Sequence, residues 1–505
     1  VLSFANRVPR ESMGPLSRLN HYFWKYWYLF VPGLLFTMLS AGFQTTVPMV
    51  VRQAVDSIPR LVRLHSVFDG TAAQAALYSY FFITLLMFAG VILLLSATSG
   101  VFMFLMRQTI VVASRHIEYD LRNALYDHLQ RLSPRFYQEY STGDVITRAT
   151  DDIEKVRRYI GPAIMYVTRS LSIVLVVVSV MFFISPTLTF YALIPMPLLA
   201  VSVFFMARMV HERSDRLQQQ YSSLTSRVQE ALAGIRVLKA YTREEAEADA
   251  FEDESRDYKK RNLDLALVDS AWRPTFLLLV GLSTIIVVWV GGRLVAEGVI
   301  TIGNIAEYII YVSIMTWPVA SLGFIITMIQ RASASVKRLQ KIVDTEPDIA
   351  DTERTDPSIT DIDGRITFEN VWFQYDGESE AALKGVSFDL GADETLAVVG
   401  RTGSGKSTLV RMIPRLMDPD RGTVRIDGRD VREIPLDTLR SHLGYVPQDV
   451  FLFSDTVANN IAFGKLDADE DEIRTAAKEA DLLGNVQDFP DGFETFVGER
   501  GITLS

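Results

Sequence analysis

The sequence predicts two parts of different class: an all-α membrane domain of six helices with long cytoplasmic helix extensions, then an α/β P-loop nucleotide-binding domain. Three observations predict it. Six apolar runs of membrane-crossing length fall within the first 345 of 505 residues. A glycine-rich motif, Gly400-Arg-Thr-Gly-Ser-Gly-Lys-Ser407, stands between a strand-like and a helix-like segment. Charge divides at the same boundary. Residues 1–345 hold 34 Lys+Arg against 27 Asp+Glu, a net of +7, and residues 346–505 hold 16 against 33, a net of −17. The whole-chain charge of −10 therefore averages two unlike regions. At about 100–200 residues per domain the length also calls for more than one core. A composition of 49% hydrophobic and 22% charged residues excludes a disordered chain, a collagen and a coiled coil. The absence of cysteine excludes a disulfide framework, a thiolate metal site and a Cys nucleophile.

A hydrocarbon core about 30 Å thick takes about 20 apolar residues per helix. The candidate spans are Trp27–Val50, Ala76–Met106, Ala163–Ile184, Thr187–Val210, Pro274–Val295 and Val299–Ile329. Soluble domains rarely string six such runs together, so buried soluble helices are the weaker reading. Spans three and four are joined through little more than Ser185-Pro186, and spans five and six through a short turn near Gly298. The stretches Arg107–Gly161 and His211–Arg273 are long and polar instead, with nine and eleven Lys+Arg. The opposite loops carry only Arg52, Arg60, Arg63 and Arg293. Positive charge collects on the cytoplasmic side, which puts both termini and both excursions inside. Trp317-Pro318 predicts a kink in span six. Gln44, Arg169, Glu307 and Gln330 are polar groups in or near spans, where ionisable residues are candidates for function; snorkelling is the competing reading for Arg169.

Both excursions read as helices that continue the spans. Ile117, Leu121, Leu125, Leu129 and Leu132 repeat at helical spacing up to Ser133-Pro134, and Leu224, Val228, Leu232 and Ile235 do the same ahead of Ala240–Glu244. A solvated charged stalk has no need of aromatic residues at its tip, yet Phe136, Tyr137, Tyr140 and Tyr241 stand there. Exposed aromatics in that position imply docking onto a partner surface.

Residues 346–363 are rich in Asp, Glu, Thr and Pro and read as a linker between a membrane domain over 1–345 and a nucleotide-binding domain over 364–505. Strand patterns follow at Arg365–Val371, Val386–Leu390 and Thr395–Val399, and a helix pattern at Thr408–Leu416. The last strand runs into the G-x-x-x-x-G-K-[ST] motif in its required strand–loop–helix setting. Gly400, Gly403 and Gly405 let backbone N–H groups face phosphate oxygens, and the helix N-terminus adds a favourable dipole. Thr402, Gly403, Ser404, Gly405 and Thr408 complete the cradle. Lys406 would reach the β- and γ-phosphates of ATP and the Ser407 hydroxyl would ligate Mg²⁺. A region of net −17 lacks the basic face that nucleic-acid binding needs.

Six spans, two long cytoplasmic excursions and a P-loop domain resemble the type I ABC exporters, as a half-transporter of the bacterial multidrug or lipid exporter kind. The resemblance covers almost the whole chain. It implies that Tyr375, in Trp372-Phe-Gln-Tyr375, is the A-loop aromatic that stacks on adenine. It implies that Gln448, in Tyr445-Val-Pro-Gln448, is the Q-loop residue that touches Mg²⁺ and the attacking water. Thr495–Gly501 resembles the exporter-specific X-loop with Glu499 in it, although Phe496 stands where Glu is usual, and Leu504-Ser505 would open the LSGGQ motif. Ser133–Tyr137 with Thr142–Asp144, and Leu238–Thr242, resemble the two coupling regions, so Phe136, Tyr137, Tyr241 and Thr242 are the expected contacts. The Walker B Asp, the catalytic Glu and the switch His of the family are not in this sequence. No general base is assigned, and a further stretch of about 80–100 residues is expected to complete a domain of ordinary size.

The resemblance further implies an ABC-type ATPase coupled to transport. ATP would be held on one subunit's P-loop and clamped by the partner's LSGGQ, so a second half-transporter is required, with a heterodimer favoured over a homodimer because Leu452–Ile461 resembles the heterodimeric kind. Closure around ATP would reach the spans through the tips near Tyr137 and Tyr241 and open the cavity outward. The setting is a bacterial plasma membrane with the nucleotide-binding domain in the cytoplasm. The cargo would be a hydrophobic or amphipathic small molecule or a lipid. A lipid flippase of the same fold is the alternative within the class, and an ATP-gated channel or regulatory membrane protein the alternative outside it. A channel would favour rings of charge along a water path, and the spans offer few charges.

Overall fold

The computed structural model describes residues 14–67, 70, 73–448, 450–465 and 467–498. It divides into two compact units, Val1–Pro347 and Asp348–Ser505. The first unit is helical. Six helices in it are long and apolar enough to cross a membrane: Trp27–Val67, Ala76–Arg131, Thr142–Ile184, Pro186–Ala233, Glu244–Ala296 and Ile302–Val343. The shortest has 41 residues. At 1.5 Å per residue it runs about 60 Å, roughly twice a hydrocarbon core. The spans therefore continue as stalks, as the helical spacing predicts. Large apolar side chains such as Leu93, Phe183 and Trp289 stand exposed along these spans. Only a lipid solvent makes that arrangement favourable.

Two apolar cores hold this unit together. One lies at the cytoplasmic ends of the first three spans and the sixth, and gathers Ile110, Ile117, Leu125, Ile153, Val156 and Ile342. The other gathers Val177, Met181, Leu188, Val287, Tyr308 and Tyr311 within the spans. Short polar bridges join helices where apolar packing alone gives little drive in lipid. Ser40 Oγ lies 3.2 Å from Ser99 Oγ, and Tyr308 Oη donates to the Met181 carbonyl at 2.6 Å. Span six opens with a capping box of Thr301 and Asn304. It runs unbroken through Pro318, and Ser321 Oγ donates to the Pro318 carbonyl.

The third span contains two π-helical segments, Arg148–Asp152 and Tyr159–Ala163. Each single-turn widening re-aims the side chains of the helix. The first turns the buried Asp152 onto span six, where its carboxylate accepts from Ser335 Oγ at 2.9 Å and Arg338 Nε at 2.8 Å.

Near the outer end, Glu307 is fully buried. Its carboxylate accepts from Tyr311 Oη at 3.0 Å and Asn304 Nδ2 at 3.3 Å, and pairs with Arg52 of span one at 3.4 Å. Gly303 fits the same seam, because a Cβ there would lie 2.5 Å from the Arg52 carbonyl oxygen. Removing one member of a buried pair strands the other charge in low dielectric. Arg52→Ala is expected to destabilise the membrane unit by about 3 kcal/mol, the low end for a buried pair because Arg52 keeps part of its surface. Thermal unfolding in detergent checks this. Adding Glu307→Gln should recover most of the loss, since the stranded charge is then gone.

The second unit carries a four-stranded antiparallel sheet in the order β2-β1-β3-β4: β1 Ile366–Phe373, β2 Leu383–Leu390, β3 Arg421–Ile426 and β4 Arg429–Asp430. Phe368 pairs with Phe388 on β2 and Val424 on β3. A two-stranded sheet pairs β5 Asp455–Thr456 with β6 Phe496–Val497. Two of the expected strands form. The third, Thr395–Val399, does not: the segment lies outside any ladder and Val399 is 90% exposed. A strand apolar on both faces belongs in the middle of a parallel sheet, paired on both edges. Among the described residues nothing pairs with 395–399, so its backbone gains no ladder. The acidic stretch after 348 packs on this unit, with Ile359 buried in its core and the Asp356 N–H donating to the Glu433 carbonyl.

Candidate functional site: the P-loop and the two excursion tips

The glycine-rich loop leaves residue 399 and enters a helix at Lys406–Met412, shorter than the expected Thr408–Leu416. Pro414 accounts for the early end, because it has no N–H to carry the helical ladder past Ile413. Leu409 and Met412 anchor this helix in the apolar core with Phe368, Val371, Leu383 and Val424. The loop is thereby seated on β1, β2 and β3. Gly403 and Gly405 hold φ values of +84° and +85°. That region is open to glycine and strained for other residues. At Gly405 space also excludes a side chain, since a Cβ would lie 2.5 Å from the Ala382 carbonyl oxygen. Between these two turns, the Ser404 N–H reaches the Arg401 carbonyl at 3.2 Å.

Lys406 folds back over the loop. Its ammonium donates to the Gly400 carbonyl at 2.9 Å and the Arg401 carbonyl at 2.8 Å. It thus sits at the mouth of the glycine cradle with two weak neutral acceptors, which phosphate oxygens can replace at a gain in charge-assisted bonding. Ser407 is exposed and its hydroxyl makes no hydrogen bond among the described residues. Thr402 and Ser404 are exposed on the loop and Thr408 is buried behind it. The cradle fits a polyphosphate: two positive-φ glycines, a lysine with exchangeable partners and a free hydroxyl beside it.

Tyr375 comes to the same place from another part of the chain. Its hydroxyl lies 3.0 Å from Thr408 Oγ1, and its ring meets Phe373 edge-on at 5.0 Å. The structure thus brings together Tyr375, the glycine loop and Lys406. The Tyr375–Thr408 bond escaped sequence reasoning, because a 33-residue separation leaves no local signal. Gln448 is exposed at a bend, and no hydrogen bond joins it to the loop among the described residues. Glu499, Leu504 and Ser505 lie outside the described residues.

The two excursion tips differ. In the first, Phe136 is 6% exposed, stacked on Tyr140 at 4.6 Å and part of the cytoplasmic core. This corrects the expectation that it stands exposed as a docking aromatic: at a helix–turn–helix tip a large ring gains more by closing the turn than by facing water. Tyr137 is half exposed, and its hydroxyl donates to the Leu129 carbonyl at 2.7 Å. In the second tip, the helix Ile235–Ala240 ends in a Schellman turn, with the Thr242 N–H on the Lys239 carbonyl and the Arg243 N–H on the Leu238 carbonyl. Thr242 takes the left-handed position at φ +53°, where glycine is usual, which thrusts Tyr241 out to 75% exposure. The expected apolar stripe before it is helical but open, with Val228, Leu232 and Ile235 exposed.

Residues 29–319 match the family described as the ABC transporter transmembrane region, and residues 383–499 match the family described as ABC transporter. The chain is similar to a Bacillus subtilis protein named "Probable multidrug resistance ABC transporter ATP-binding/permease protein YheI", at 34% identity over 83% of this chain and 72% of that one. It is similar to the multidrug resistance-like ATP-binding protein MdlA of Escherichia coli at 31% identity, over 97% of this chain and 80% of that one. It also resembles the ABC transporter ATP-binding protein YknU of Bacillus subtilis at 31% identity, over 98% and 81%.

Proposed function

The chain belongs to the ABC transporter family as a multi-pass membrane protein that joins the transmembrane region to the ATP-binding domain, and on that premise we propose that it is one subunit of a dimeric exporter of amphipathic molecules. It is an ABC-type ATPase coupled to transport, with its nucleotide-binding domain in the cytoplasm. The observation that carries the functional reading is the cradle at Gly403, Gly405 and Lys406 on a chain with six spans. YheI and MdlA are named for multidrug resistance, which supports an amphipathic cargo.

In this reading Tyr375 packs against the adenine base. The N–H groups of residues 403–408 and the Lys406 ammonium hold the phosphates. Lys406 leaves its two carbonyl acceptors and offsets charge on the γ-phosphoryl group. Mg²⁺, held by Ser407 with Gln448, would supply further neutralisation of the phosphates. The open stripe at Val228, Leu232 and Ile235, and Tyr241 beyond it, support a second subunit, because these apolar side chains stand exposed among the described residues. The stretch Leu452–Ile461 favours an unlike partner over a second copy. ATP then drives the change of state because its phosphates are held from both subunits only in the closed form.

Tyr241 is the exposed contact of the second tip, whereas Tyr137 is half a structural residue. Tyr241→Ala is therefore expected to lower transport by about tenfold while ATP affinity stays unchanged, as for loss of one aromatic anchor at an interface. Paired uptake and ATP-titration measurements check it; equal loss of both would place Tyr241 in the nucleotide site. The reading as a whole is tested in inverted vesicles holding the full-length protein and its partner. An amphipathic dye should enter with ATP and not with ADP, and equal entry with either would overturn it.

A further inference from the structure

Spans three and six meet at their cytoplasmic ends in a core that is mostly apolar. Ile153 and Val156 of span three and Val336 and Leu339 of span six are buried in it. A polar clasp interrupts this core. The Asp152 side chain is 3% exposed, and its carboxylate accepts from Ser335 Oγ at 2.9 Å and from Arg338 Nε and Nη2 at 2.8 and 2.5 Å. Arg148, one turn earlier on span three, joins the clasp to the first excursion tip. Its guanidinium donates to the Arg338 carbonyl at 3.3 Å, pairs with Asp144 at 2.7 Å and lies 4.9 Å over the Tyr140 ring. Asp144 stands in the first turn of the tip helix Thr142–Thr147, and Tyr140 stacks on Phe136. Arg148 Nε is buried without a hydrogen bond, so stability alone does not account for this placement.

The clasp itself adds little stability. Desolvation of a buried carboxylate and guanidinium offsets most of their attraction, and an apolar pair of the same volume often packs as well or better. What a fork on a carboxylate does supply is direction. Two parallel N–H···O bonds fix the rotation and register of one helix against the other, where apolar contacts alone permit small sliding. The backbone at the clasp makes that direction matter. Asp152 ends the π-helical segment Arg148–Asp152. Dropping one residue from that turn to restore α geometry would swing Asp152 about 100° away from span six. On the other side, Arg338 stands five residues before Val343, the last residue of span six, and the second compact unit begins at Asp348.

We propose that Asp152 and Arg338, with Ser335 and Arg148, are positioning residues for transport: they tie the first excursion tip to the base of span six, so that nucleotide-driven movement of either turns both. The proposal rests on the export reading above and names residues that set how much cargo moves per ATP. None of the four touches nucleotide in that reading. Their loss therefore separates hydrolysis from transport instead of lowering both.

The test uses the full-length protein with its partner in inverted vesicles, with dye uptake and ATP hydrolysis read together. D152L with R338M replaces the clasp by an apolar pair of similar size, and Ser335 Oγ can turn to a carbonyl of its own helix. This double variant should melt no lower than wild type and hydrolyse ATP within about twofold of it. It should move at least about fivefold less dye per ATP. R338K keeps the charge and loses the fork, and should move about two- to threefold less dye per ATP. An unchanged ratio of dye to ATP in a double variant of wild-type stability overturns the proposal. A fall in uptake matched by an equal fall in hydrolysis overturns it as well. Should the double variant fail to fold, R338K decides alone, and an unchanged ratio there overturns it. Wild-type uptake in the same vesicles reports on the export reading separately, so the two failures are distinct.

Discussion

Gly405→Ala should lower ATP affinity at least about tenfold with the fold retained. Two effects act together at this residue. Its φ of +85° costs an L-residue about 1–2 kcal/mol, and a Cβ would stand 2.5 Å from the Ala382 carbonyl oxygen and 2.9 Å from Leu383 Cδ2. Leu383 begins β2 and belongs to the core, so it is poorly placed to yield. The loop must shift instead, and the N–H groups that face the phosphates shift with it. Gly403→Ala is the control. Its φ of +84° carries the same strain, but no atom lies within 4 Å of a Cβ there. It should weaken ATP by about fivefold. Calorimetric titration of ATP onto the two variants separates strain from steric exclusion, and equal losses would mean that the Ala382 contact is not decisive.

Lys406→Ala should have the larger effect on turnover. The ammonium is held by the Gly400 and Arg401 carbonyls at 2.9 Å and 2.8 Å, which places it at the mouth of the cradle. Its removal leaves the glycines in place and takes away the ammonium proposed to meet the phosphates. Loss of a single preorganised donor from a developing anion lowers rate by about 10²–10³. ATP-driven transport is therefore expected to fall by about 100-fold or more, while the lost ground-state binding is smaller.

Much of this architecture is legible in the residues because the forces that set it are local. A run such as Val174–Ile184 has to cross a bilayer or be buried, and the helix Ile164–Ile184 contains it. The spacing of Ile117, Leu125 and Leu129 specifies a helix, and their burial shows which face it turns inward. The motif around Lys406 specifies a loop whose glycines need positive φ, and Gly403 and Gly405 have it. Long-range geometry was not legible. Nothing near Glu307 in the sequence points to Arg52, 255 residues away, and nothing near Asp152 points to Arg338. Phe136 stands on the expected tip but turns inward, because a pattern of aromatics does not say whether a ring closes its own turn or meets a neighbour. The segment 395–399 shows the same limit for sheets. Its apolar residues ask for partners on both edges, and sequence pattern cannot supply them.

ATP held at this P-loop is proposed to drive an amphipathic molecule through this membrane domain. ATP-dependent dye uptake into inverted vesicles, compared between wild type and Lys406→Ala at matched protein levels, tests it most directly. Uptake that falls to about 1% of wild type, with the protein still folded in the membrane, is the predicted result. Uptake that persists in Lys406→Ala would contradict it and would mean that the energy for transport enters elsewhere.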